Sequence, residues 1–421
     1  MTTLDNKEAR AIISKVFRYI DNGVVTWNND TFLGHPDLFF FHSKKELLNK
    51  MDSLLHQEKY DRYDLYYIIN SLIKYMLGKY DSHTKAIFQD SIIMPIKFKI
   101  QNDKVYIINH SKNIEDCKGA TIVSINDIKI EKILDELEKI ISYSTIEYLH
   151  TMQEVDLQNF DILMSLPSIN NNIDTMTFKI LHHNELKNIS FNKYHLPTPY
   201  HENIPQNYSY EILNNVIVIH YNSCKSTINQ EMLNLISKLK LIESERKVNN
   251  YIVDLRNNGG GDSRIIIPLI EYLKGKDIVV LVNEKVFSSG RMAYVELKKI
   301  GAYSIGTDIS TSLNCFGNVP GELKLDNLSL IIKRSSTYWY YDKYFKCTGY
   351  RKDSFTKYFR TRKDLLEPII LHPDEYVYMS VDDILNGNDN QMMAAINYFR
   401  KKENNNEYRI CRKWLNRLKD Y

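Results

Sequence analysis

Three groups of residues in this chain have the types and spacing to break an acyl bond. Asp254-Leu255-Arg256-Asn257-Asn258-Gly259-Gly260-Gly261 closes an apolar run with glycines, whose backbone N–H groups can face a developing negative charge. Phe287-Ser288-Ser289-Gly290 places a hydroxyl at a second boundary of the same kind. A serine where a helix begins sits beside unpaired N–H groups and the positive end of the helix dipole, and both favour the anion formed when a hydroxyl attacks a carbonyl. Serine is a weak nucleophile until a base takes its proton. Lys79-Tyr80-Asp81-Ser82-His83-Thr84 offers such a base in the His83 imidazole. Plainer roles compete at each position: helix capping for Ser288 and Ser289, a simple turn for the glycines, a packed or surface histidine for His83. The glycine segment lacks the Gly-Lys-Ser/Thr ending of a phosphate loop and the spacing of a dinucleotide fingerprint. Val286 leaves only half of a Gly-x-Ser-x-Gly elbow.

The surrounding pattern dictates where these groups stand. Tyr251 to Leu255 and Ile278 to Val282 read as short buried strands, and Ala302 to Gly306 as a third. Between them, Ile265, Ile266, Ile267, Leu269, Ile270 and Leu273 recur at helical spacing up to Gly275. Met292, Ala293, Val295, Leu297 and Ile300 do the same up to Gly301. Strands alternating with helices predict an α/β fold with a parallel sheet and right-handed crossovers. The chemistry of such sheets gathers at the carboxyl ends of the strands, where both segments fall. An apolar helical stretch from Leu65 to Leu77 precedes His83.

In this order the three groups resemble the tail-specific (C-terminal processing) protease and tricorn core family of serine peptidases, over about Leu47 to Phe399. Asp254 to Gly261 is similar to that family's strand-end motif, and Asp81-Ser82-His83-Thr84 to the Asp-Gly/Ser-His-Thr segment of its tricorn-like members. Phe287 to Gly290, followed by Ala293 and Leu297-Lys298, resembles the nucleophile segment. The resemblance implies a ClpP/crotonase-like catalytic core and a serine-type peptidase. It casts Ser288 as nucleophile and His83 as general base, with Ser82 orienting them. Ser289 and Gly260, or its neighbour Gly259, would provide the oxyanion N–H groups. A glutamate shortly before a Pro-Asp pair completes the tricorn-like set, which points to Glu367 ahead of Pro373-Asp374; a solvated loop carboxylate is the plainer role there.

Some positions depart from the family. Its bacterial members use a lysine 25 residues after the serine, and that position here is Leu313. Lys285 is expected on the strand before Ser288, pointing away. The Gly-Glu-Pro-Thr-Gly-Gly stretch is replaced by Gly306-Thr307-Asp308-Ile309-Ser310-Thr311-Ser312, although Asn314, Phe316 and Gly317 still match. Arg291 stands where many members have Glu. The altered stretch keeps alternatives open: a degenerate relative that binds peptides without cutting them, or a hydrolase of non-peptide esters or amides.

Residues 1–78 read as an N-terminal helical domain, with Ala11, Ile12, Val16, Phe17 and Ile20 and then Leu47, Met51, Leu54 and Leu55 at helical spacing. Residues 79–200 read as a β-rich middle region. Within it, 117–141 resembles the strand, turn and helix of a PDZ-like module, which would catch an extended peptide as an added strand. Pro197 to His201 reads as a linker into the 201–400 catalytic core. Residues 401–421 read as a basic amphipathic helix. From Arg400 to Tyr421 there are eight Lys or Arg against three acidic residues.

A charged fraction of 25% and a hydrophobic fraction of 43% are those of a globular chain with a core. A net charge of +3 on 421 residues argues against bulk nucleic-acid binding. Five scattered cysteines, Cys117, Cys224, Cys315, Cys347 and Cys411, do not make a disulfide framework. His182, His183, His195 and His201 lack metal-site spacing, so no metal and no cofactor are expected. No 18-residue apolar run and no apolar signal region are present, which predicts no membrane span and a cytoplasmic location. The expected partner is a peptide or unfolded protein substrate, with self-assembly left open.

Overall fold

The structure is a computed structural model that describes residues 3–23, 33–169, 173–198, 205–213, 215–225, 231–246 and 248–402. It is a mixed helix and sheet fold whose chain divides into two compact units. Met1–Glu202 and Ser310–Leu371 form the first, Asn203–Ile309 and His372–Tyr421 the second.

The first unit begins with three helices, Asn6–Asn22, Lys44–Leu54 and Arg62–Leu77. Each starts at a capping box: Asp5 with Glu8, Ser43 with Glu46, Asp61 with Asp64. These pairs satisfy N–H groups that the first turn leaves open. Their apolar faces pack Ile13, Val16, Ile20, Leu47, Met51, Leu65, Ile69 and Leu72 into one core with the sheets of the unit. An antiparallel sheet follows, in the order Ile96–Gln101, Lys104–His110, Thr121–Ile125, Thr175–His182, Glu185–Asn192. At the expected PDZ-like stretch, Thr121–Ile125 turns through Asn126 and Asp127, both at positive φ (48° and 63°), into Ile128–Lys129 and the helix Ile130–Glu138. The middle region is less purely β than the sequence suggests: Ile146–Asp156 and Phe160–Met164 add two helices. Residues 310–371 return to this unit. They contribute two strands to the sheet that contains Lys85–Phe88, just after His83, and an aromatic cluster of Phe316, Tyr338, Phe355 and Phe359.

The second unit is built on a six-stranded sheet in the order Tyr208–Leu213, Val216–Tyr221, Asn250–Asp254, Asp277–Val282, Tyr303–Gly306, Glu375–Tyr376. The first pair is antiparallel and the remaining four pairings are parallel. Tyr251 to Asp254 and Ile278 to Val282 are buried at every position, as strands covered on both faces must be. One face packs Val218, Ile252, Val279, Leu281 and Ile305 against Met392, Ala395, Ile396 and Phe399 of a helix over residues 390–402.

The three predicted strands stand within a residue of their expected limits, and the helix Ser289–Lys299 follows Ser288 as expected. The helix after the glycines is shorter than its periodicity suggests, Ile267–Leu273. Pro268 has no N–H to donate, so Ile265 and Ile267 bond back in tight turns and regular helical bonding begins beyond them. Lys285 is not on a strand. That strand ends at Val282, and Lys285 is exposed in a turn closed by the Asn283 side chain, which accepts its N–H at 3.0 Å. Of the residues placed in a basic C-terminal helix, 403–421 lie outside the described residues, as do 199 to 201 of the linker.

Candidate active site

Parallel register brings three strand ends together in the second unit. His220 pairs with Asp254, and Asp254 with Leu281. Beyond them lie Cys224, the glycine loop and Ser288. Arg256 ties the middle strand end down: its guanidinium donates to both Asp254 oxygens at 2.9 and 2.8 Å and to both Asp389 oxygens at 2.7 and 2.8 Å. Burial opposes charge on Asp254, yet His220 and Arg256 outweigh it and hold the carboxyl well below the usual range.

Ser288 is the residue before the helix Ser289–Lys299, and its backbone is at φ 54°, ψ −119°. That region disfavours any side chain and costs about 1–3 kcal/mol. The hydroxyl makes no capping hydrogen bond, so the plain reading of Ser288 as a helix cap does not hold. A strained serine at a sharp strand-to-helix turn is how a nucleophile is lifted clear of its own chain. The neighbouring Ser289 plays a different part. Its hydroxyl donates to the Gly261 carbonyl at 2.6 Å, fastening the helix start to the glycine loop.

The glycines are required by contact. A Cβ on Gly260, at φ +103°, would stand 2.7 Å from Ser288 Cβ. On Gly261, at φ +135°, it would stand 2.4 Å from the Cys224 carbonyl oxygen. The loop is thereby pressed against both the Ser288 turn and the segment after Val216–Tyr221. The Gly260 N–H donates to Asn258 Oδ1 at 3.0 Å, so in the resting chain it is committed to its own loop. No hydrogen bond among the described residues engages the N–H of Gly259 or Ser289.

In the first unit, Asp81 organises the turn that carries His83. Its Oδ1 accepts the backbone N–H of His83 at 2.8 Å and of Thr84 at 3.1 Å, and the Ser335 hydroxyl at 3.0 Å. Its Oδ2 takes the Thr84 hydroxyl at 2.5 Å and lies 3.3 Å from His35 Nε2. Both Asp81 and His35 are fully buried. Burial raises the Asp81 pKa, but His35, His83 and Thr84 prevail and keep it ionised well below the ordinary range. Ser82 is buried, with its carbonyl accepting the Tyr148 hydroxyl at 3.4 Å. His83 is half-buried, and its ring lies beside Gly317. Glu367 is exposed and pairs with Lys79 Nζ at 2.6 Å, which holds its carboxyl below the usual range.

Residues 215–288 match the sequence model described as Peptidase family S41. The matched stretch runs from the start of the second unit's central strands, through the glycine loop, to Ser288. Over that stretch the chain is similar to peptidase family S41. The chain is a serine-type peptidase, and the resemblance read from its motifs is borne out. Solved structures with a similar fold include mature CPAF (12% identity, 90% of this chain and 94% of that one covered, TM-score 0.59). Mature CPAF complexed with lactacystin is similar too (12%, 94% and 97%, TM-score 0.60), and so is the photosystem II D1 C-terminal processing protease (11%, 89% and 95%, TM-score 0.42). At these identities the likeness to the two CPAF structures is one of fold. Curated protein sequences give no match. Among the described residues, no cluster of three or more His, Cys, Asp or Glu side chains is placed to hold a metal ion. No described helix is long and apolar enough to cross a membrane.

Sequence alone assigns no role to Asn258, Cys224, Asp81 or His35. Asp81 and Asn258 stand inside the quoted motifs, and two-residue spacing to the N–H groups they hold is the signal that marks them. His35 and Cys224 are isolated in sequence and give none.

Proposed function

We propose that this peptidase works through an acyl-enzyme on Ser288, with His83 as its general base. His83 takes the Ser288 proton as Oγ attacks a peptide carbonyl. The Ser289 N–H receives the oxyanion together with an N–H of the glycine loop. Gly260 is occupied by Asn258 at rest, which puts Gly259 forward as that second donor. His83 then protonates the leaving amine, and water hydrolyses the ester. Ser82 and Asp81 set the direction of the His83 turn, and the Glu367 carboxylate completes the set as an outer partner. The catalytic unit is of the ClpP/crotonase kind, and residues 117–141 form a PDZ-like module that presents an extended, unfolded segment of the substrate.

The observation that carries this reading is the backbone of Ser288: a strained conformation at a helix start, no capping bond, and a glycine pressed against its Cβ. Hydrolysis of an unfolded polypeptide, followed by gel and mass spectrometry, tests it. Cleavage by the wild type that vanishes in Ser288→Ala supports the acyl-enzyme. Equal cleavage by that variant overturns it.

A further inference from the structure

Asn258 is fully buried, and a buried carboxamide is costly unless each of its polar atoms is paired. Here both are. Oδ1 accepts the Gly260 N–H at 3.0 Å and the Cys224 thiol at 3.3 Å, while Nδ2 donates to the Tyr221 carbonyl at 2.9 Å. Only one orientation of the amide serves two donors on one side and a carbonyl on the other. The backbone is engaged as well. The Asn258 N–H donates to the Leu255 carbonyl at 2.8 Å, and its carbonyl accepts the Phe287 N–H at 3.0 Å. Gly290 packs on the same carbonyl so closely that a Cβ there would stand 2.4 Å from it. One residue therefore holds three strand ends and the segments beyond them: Tyr221 at the end of Val216–Tyr221 and Cys224 after it, Gly260 after Asn250–Asp254, and Phe287 and Gly290 on either side of Ser288 after Asp277–Val282.

We propose that Asn258 is the positioning residue that sets Ser288 and the open glycine amide at a fixed separation. It touches no substrate, because it has no exposed surface. It acts by holding the glycine loop to the nucleophile turn, and by taking the Gly260 N–H it decides which glycine amide stays open. The inference rests on Ser288 being the nucleophile. Displacing reacting groups by about 1 Å costs about 10²-fold in rate. A lost carboxamide acts on acylation in this way and leaves the substrate surface unchanged.

The test is the rate of fluorophosphonate labelling of the full chain, resolved into its saturating rate and its half-saturating concentration, with thermal melting as a control. Asn258→Ala is expected to lower the saturating rate by about 10²-fold at an unchanged half-saturating concentration. Asn258→Asp keeps the Oδ1 acceptor and its shape, and places an oxygen against the Tyr221 carbonyl. Protonation restores a donor there, so its labelling rate relative to wild type at the same pH rises as the medium is acidified. A wild-type rate in Asn258→Ala overturns the proposal. A relative rate for Asn258→Asp that is flat with pH also overturns it, and this second variant decides if the alanine chain fails to melt cooperatively. Labelling that survives in Ser288→Ala removes the nucleophile reading and this inference with it, an outcome separate from both.

Discussion

A side chain at φ 54° is held in place by its surroundings and not by its own preference, so Ser288 stores strain that its neighbours must offset. This has a measurable consequence. Replacing serine by alanine keeps the Cβ and therefore the strain, whereas replacing it by glycine removes both. Glycine ordinarily destabilises relative to alanine through the unfolded chain, but at a left-handed position the order reverses. Ser288→Gly should unfold at higher denaturant than Ser288→Ala, by about 1 kcal/mol in stability. The opposite order in urea titrations would mean that the turn is relaxed in solution. The site residues differ in how readable they were. Ser288, Ser289 and the glycines announce themselves through a hydroxyl and bare N–H groups at strand ends. Asn258 shows only its two-residue spacing to Gly260, while its hydrogen bonds to Tyr221 and Cys224, distant in sequence, leave no local mark.

The elements that present these residues are short strands and the turns between them. Buried apolar runs bounded by turn residues mark the strands to within a residue. Pro268 cost the following helix its first turn, since periodicity counts apolar spacing and takes no account of a missing donor. Glycine inside the helix Ser289–Lys299 allows a direct test of how the elements meet. Gly290→Ala should favour the helix by up to about 1 kcal/mol on propensity. Its Cβ, however, would fall 2.4 Å from the Asn258 carbonyl oxygen, and that oxygen belongs to backbone fixed by the Phe287 N–H. The steric term wins, so the variant is expected to lose stability and to acylate more slowly. A Gly290→Ala protein that melts higher and reacts at the wild-type rate would refute the packing of the glycine loop on this helix.

Two buried carboxylates in the first unit pull its stability in opposite directions as pH changes. Asp81 has a pKa held below that of the unfolded chain, so its contribution is complete above about pH 4 and is lost as pH falls through the folded value. Asp156, at the end of the helix Ile146–Asp156, is pushed up to about 7 by burial, with Lys85 only partly opposing. Its folded form holds a proton that the unfolded form releases, so stability falls between about pH 4 and 7 and stays reduced above. Asp156→Asn should therefore gain stability at pH 8 relative to pH 4, by up to about 4 kcal/mol, in denaturant titrations at the two pH values. An unchanged difference between variant and wild type across that range would contradict the burial assigned to Asp156.

At the scale of the whole molecule, the alternation of strands and helices made the parallel sheet of the second unit legible, because its period is local. The return of residues 310–371 to the first unit was not legible. It depends on strand pairing between Leu330–Lys333 and Lys85–Phe88, more than 240 positions apart, which no local pattern encodes. His83 belongs to the first unit and Ser288 to the second, and the proposed mechanism requires both residues. The most direct measurement is the rate and location of fluorophosphonate attachment in wild type and His83→Ala, read by mass spectrometry of the digested protein. The account predicts one adduct, on the peptide containing Ser288, forming about 10⁴-fold or more slowly without the imidazole. An adduct on another residue, or one that forms on Ser288 at the wild-type rate without His83, would contradict it.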